Sequence, residues 1–192
     1  QALLALSRHA NRNSQHKILN ALMATDFAAL SMAERHNLVR SIEVNLFRHG
    51  APNQEISSRL ADYLNPYYPS ESNSLDRLLA KVLVYLEAPE AIEKTVKLLQ
   101  SATDDPEYQK SLISSSDVIF RNPEYGLDLA GMLNKVPPLQ QTFLANVLAQ
   151  AGSGWTDELR ESYFKWFDRA FEYKGGRSYI GYVDKARKMA LE

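Results

Sequence analysis

Apolar residues in this chain recur three or four positions apart along most of its length, and alternation by two is never sustained. That spacing places apolar side chains on one face of a helix and cannot line one face of a sheet. The most informative stretch is 137–192, which reads as three amphipathic helices separated by tight breaks. Helices that each carry one apolar stripe must pack against other helices to bury it. The pattern therefore predicts an all-α protein.

About eleven helical segments follow from the spacing and its punctuation. The first two lie near Ala2–His9 and Ser14–Ala24, split by the polar run "ANRNS". Ser31 with Glu34 makes a capping box for a long helix to about Arg48, which Gly50 ends. Pro52 suits the first turn of the next helix, to Leu64. After the break "NPYYPSESNS", Leu75, Leu78, Leu79, Val82 and Leu86 form one continuous stripe, and a partner helix opening at Pro89 carries Ile92, Val96 and Leu99. The segment 111–120 admits either helix or strand, because three serines adjoin β-branched residues. Pro123–Lys135 and Pro138–Ala151 read as helices opened by proline, the second with Leu139, Phe143, Val147 and Ala151 in line. Thr156 caps a helix to about Tyr173 whose stripe is Leu159, Tyr163, Trp166, Phe167 and Ala170. Gly175-Gly176 stops it, and Ser178 caps the last helix.

Breaks this short imply antiparallel neighbours. Successive pairs begin near Ser31, Ser74, Pro106 and Pro137, at intervals of 43, 32 and 31 residues, so the repeats are degenerate. Eleven helices exceed what one bundle core serves, and stacked pairs fit better.

Composition removes several functions. The absence of cysteine excludes disulfides, thiolate metal sites, covalent haem attachment and a cysteine nucleophile. Twenty-two basic against 23 acidic residues give no general attraction to nucleic acid or anionic lipid. No apolar run reaches the roughly 20 residues that span a bilayer. The amino-terminal residues lack the pattern of an intact signal peptide and begin as though inside a helix, as expected of a piece of a longer protein.

Two stretches carry a family resemblance. "LLAKVLVYLEAPEAIEKTVKLLQSA", at 78–102, is similar to the HEAT-like helical repeats of large exported bacterial proteins of the planctomycete and Bacteroidetes type. The stretch 137–192 resembles the end of that helical region through Gly154, Trp155, Thr156, Arg160, Tyr163, Phe164, Trp166, Phe167, Gly175, Gly176 and Ser178. The match covers about 80 residues. In such proteins a sorbosone-dehydrogenase-like or similar domain is often followed by the helices and then a c-type cytochrome module. The resemblance implies an irregular HEAT-like α-solenoid of antiparallel pairs, 1–192 forming a single domain of a periplasmic or otherwise exported protein. It implies a scaffold or docking role toward adjoining domains or another protein, with no cofactor in this segment.

The candidate chemistry is sparse. His9, His16, His36 and His49 include no pair three or four apart and read as solvated or capping residues rather than metal ligands. The serines at 114–116 lack a nucleophile-elbow context. The acidic run at 103–107 lacks calcium-loop spacing and reads as an N-cap before Pro106. In "YKGGRS", Lys174 and Arg177 flank two glycines before a helix, an arrangement able to present amides to an anion; a helix stop and N-cap account for the same residues. Phe164 and Phe171 lie off the main stripe of an already aromatic helix. Trp155, Tyr179 and Tyr182 join them as candidate contacts for a neighbouring domain. No catalytic residue is expected. The rival from another class is a HEAT-like nucleic-acid-binding enzyme of the alkylpurine DNA glycosylase type. It needs a cationic face, whereas eight basic residues meet seven acidic ones in the last 38.

Overall fold

The computed structural model describes residues 5, 7, 11–105, 136–174 and 176–191, the side chains of 176 and 177 excepted. It is all-helical: the described residues hold eight α-helices and no strand. The expected segments at 106–120 and Pro123–Lys135 lie outside these residues, and of Ala2–His9 only Ala5 and Ser7, both helical, are described. The chain divides into two compact units, Gln1–Thr95 with Ala151–Trp155, and Val96–Gln150 with Thr156–Glu192.

The first unit contains α1 (Gln15–Met23), α2 (Met32–His49), α3 (Gln54–Leu64), α4 (Asn73–Tyr85) and the start of α5 (Ala91–Ser101). Helix α2 begins as its sequence dictates. The Ser31 hydroxyl accepts from the Glu34 amide, and the Glu34 carboxylate accepts from the Ser31 amide at 2.9 Å. Gly50, at φ +80°, closes the helix. Helix α3, by contrast, does not start at Pro52. Asn53 is its cap, the side-chain oxygen accepting from the Ile56 amide at 3.0 Å, an acceptor that proline lacks.

Packing in this unit joins α1 to α2 and to α3, and α2 to α4 most extensively. Leu19, Val39, Ile42, Leu60, Leu64, Leu79 and Leu83 are buried at the centre. Phe27, after α1, is also buried; it stacks edge-on against Tyr63 and lies 4.5 Å from Tyr67, while Arg35 spans its ring and donates to the Phe27 carbonyl. Helix α4 turns its buried face from the expected stripe: Leu75, Leu79 and Val82 are buried, but Leu78 and Leu86 are only half-buried. Leu75, Asp76, Leu79, Ala80, Val82, Leu83 and Val84 are all enclosed, covering roughly 200° of the helix at 100° per residue. It is the central helix of this unit.

Helix α4 ends in a paired C-cap: the Ala88 amide donates to the Leu83 carbonyl and the Glu87 amide to that of Val84. Glu87 occupies the left-handed position, φ 53°, that glycine usually takes. The residues Ala151–Trp155 belong to this unit, where a Cβ at Gly154, φ +81°, would lie 3.1 Å from Ile92 Cγ1.

The second unit contains the rest of α5 with α6 (Leu139–Leu148), α7 (Asp157–Ala170) and α8 (Gly176–Met189). Thr156 caps α7 as expected, accepting from the Leu159 amide, and Tyr163, Trp166, Phe167 and Ala170 are buried. Two expectations need correcting. Helix α6 buries Gln140, Leu144, Val147 and Leu148, while Leu139 is exposed and Phe143 half-buried, so the stripe is turned from the expected line. The reason lies across the unit: the Tyr163 hydroxyl donates to the Ala145 carbonyl and the Trp166 indole to Gln141 Oε1, which fixes the face α6 presents. Ser178 does not cap α8, since the helix already runs from Gly176.

Within the acidic run at 103–107, Asp104 makes a contact that the sequence did not signal. The Asp104 carboxylate accepts from the Leu139 and Gln140 amides at 2.9 and 2.8 Å, capping α6 from 35 residues away. Pro138, the N-cap residue, has no side-chain acceptor for that purpose. Pro106 lies outside the described residues.

Candidate functional site

The residues expected to contact a partner are placed by different elements. Trp155 belongs to the first unit. It is half-buried, and its indole N–H donates to the Ala151 carbonyl at 3.2 Å. Lys174, after α7 in the second unit, is exposed. Arg177 falls in the first turn of α8, with its side chain, like Gly175, outside the described residues. The anion-contact reading of 173–178 therefore falls on residues only partly described.

Helix α8 packs against α6 and α7. Among its described side chains Val183 and Ala186 are buried, and Tyr179 is half-buried on the same face, one turn before Val183. Burial raises the Tyr179 phenol above its ordinary range. Tyr182 lies off that face and stays 41% exposed, as does Ile180 at 38%. Phe164 on α7 and Phe171, its C-cap residue, are half-buried; Phe164 joins the ring cluster of Tyr163 and Phe167, and Arg187 lies over the Phe171 ring at 5.2 Å. The end of the chain thus presents aromatic surface beyond what its own core uses.

A second arrangement was not anticipated. Glu43, on α2, is buried, and its carboxylate accepts from Arg40 on its own helix and from Lys81 on α4, the latter at 2.6 Å. Removing this carboxylate from water penalises its charge most, but the hydrogen bonds and the charges of Lys81 and Arg40 together outweigh that and hold its pKa below the ordinary glutamate range. Both cations remain half-exposed, at 48% and 54% of their side chains. One turn beyond Glu43 stands Phe47, 91% exposed; one turn beyond Lys81 stands Tyr85, 51% exposed. A helical wheel could have found Phe47, since it falls off the Leu38–Ile42–Leu46 line. The burial of Glu43 depends on α4 and has no local signal.

Among the described residues, no group of three histidine, cysteine, aspartate or glutamate side chains could hold a metal ion. His16 is exposed, while His36 and His49 are half-buried. No described helix is long and apolar enough to cross a membrane. Comparisons with protein-family models, with curated proteins and with solved structures find no match.

Proposed function

We propose that this chain is a non-catalytic scaffold or docking domain, a HEAT-like stack of helical pairs within a larger exported protein, which engages adjoining domains or another protein. The observation that carries the docking reading is on α8. Its buried face is already occupied by Val183 and Ala186, yet Tyr182 and Ile180 keep more than a third of their surface. Aromatic side chains left at a surface are the residue type that anchors partners. Within the first unit next-but-one helices pack together, α1 with α3 and α2 with α4, and the stacked arrangement otherwise rests on the resemblance. Layered pairs make such contacts between successive repeats. Export rests on the resemblance alone.

The test is photocrosslinking in the natural full-length protein, with a photoreactive phenylalanine analogue in place of Tyr182. A crosslink to an adjoining domain or a separate protein is the expected result. A residue that reacts only with solvent, or a salt-dependent shift of duplex DNA by the purified chain, would overturn the reading.

A further inference from the structure

We propose that the face shared by α2 and α4 around Arg40, Lys81, Phe47 and Tyr85 docks an acidic peptide segment of a partner protein. A carboxylate of that segment meets the Arg40 and Lys81 heads, and an apolar side chain packs on the exposed aromatics. The inference deepens the docking reading and rests on it.

The geometry begins with Glu43. A buried carboxylate gripping two half-exposed cations fixes where those cations sit. Neither head spends all its donors: a guanidinium has five N–H groups and an ammonium three. Two cations on one carboxylate leave a net positive charge whose position is set before any ligand arrives, which lowers the ordering cost of binding. The aromatics then follow from helix geometry alone. Phe47 is four residues from Glu43 and Tyr85 four from Lys81, so each lies on the same helical face as its ion-paired neighbour, about 6 Å along. Because α2 packs on α4 and Glu43 joins them through Lys81, the cations bridge both helices, with Phe47 one turn further along α2 and Tyr85 one turn further along α4.

Charge decides among occupants. A nucleic acid or an anionic lipid surface needs a row of cations to neutralise many phosphates. Here Glu43 cancels one of the two positive charges, and Arg48, beside Phe47 in sequence, adds one more. That suits one or two carboxylates and falls short of a polyanion. A second copy of this chain docking face to face would set cation against cation. A peptide carrying glutamates with apolar residues between them satisfies both parts of the patch.

The experiment measures fluorescence anisotropy of a labelled amphipathic peptide, with glutamate and leucine at helical spacing, titrated with the full chain. A counterpart with glutamine for glutamate, duplex DNA and phosphatidylserine vesicles are run alongside. The glutamate peptide is expected to bind, with the affinity falling as salt rises. The glutamine peptide should bind at least about tenfold more weakly, and Phe47→Ala with Tyr85→Ala should cost about tenfold or more. Both substitutions remove exposed side chains, and circular dichroism checks that the helices persist. Equal affinity for the two peptides, unchanged affinity in the double variant, or tighter binding of DNA or vesicles through the same residues would overturn the proposal. The crosslink at Tyr182 reads a different helix with a natural partner, so failure here leaves the result there intact.

Discussion

Tyr68 and Thr95 offer an asymmetric test of how the first unit is held together. Both are buried, and their hydroxyls are 2.9 Å apart. Thr95 Oγ1 also lies 2.6 Å from the Ala91 carbonyl, which can only accept. A threonine hydroxyl has one proton, and it goes to Ala91; the proton between Tyr68 and Thr95 is therefore the tyrosine's. Tyr68→Phe removes a donor while Thr95 keeps its bond to Ala91, an expected cost of about 0.5–1.5 kcal/mol. Thr95→Val keeps the shape but strands the buried phenol, which costs about 1–3 kcal/mol. The double variant leaves no orphan, so it should be destabilised by less than the sum of the two. The assay is urea denaturation followed by Trp155, which belongs to this unit, in a Trp166→Phe background. With a slope of about 2 kcal/mol per molar urea, a loss of about 2 kcal/mol moves the midpoint by about 1 M. Equal single-variant effects that add in the double would refute the assigned proton direction.

The two buried carboxylates of the first unit should respond to pH in opposite senses. Glu43, held below its ordinary range, contributes stability that is lost as pH falls below about 4.5; the advantage of wild type over Glu43→Gln should shrink there. Burial pushes Asp76 above its ordinary range, although the Ser70 amide donates to its carboxylate. Its protonated form is favoured by folding, so wild type should gain on Asp76→Asn between neutral pH and about pH 4. Urea midpoints across that range test both, and parallel curves would refute the assignment. Asp104→Ala removes both amide acceptors at the start of α6 and should cost about 0.5–2 kcal/mol in the second unit. Trp166 fluorescence in a Trp155→Phe background reports it, and an unchanged midpoint would show that water replaces the cap.

What the sequence by itself determined is most of the structures closed within four residues, the starts of α3 and α8 excepted. The Ser31–Glu34 box, the Thr156 cap, the Gly50 stop and the aromatic stripe of α7 need only the chain around them. The all-helical class follows from the same local period. Tertiary structure decided which neighbour each helix meets, and therefore what is buried. Expected faces failed where a distant group intervened: α6 is turned by its bonds to Tyr163 and Trp166, and its first amides are taken by Asp104. The same holds for the candidate surfaces. Tyr182 could be singled out from the aromatic density around it, but Glu43 is an ordinary helical glutamate until α4 covers it and brings Lys81. Hydrogen bonds between near neighbours are written in spacing, whereas burial belongs to pairs of elements that the local pattern does not name.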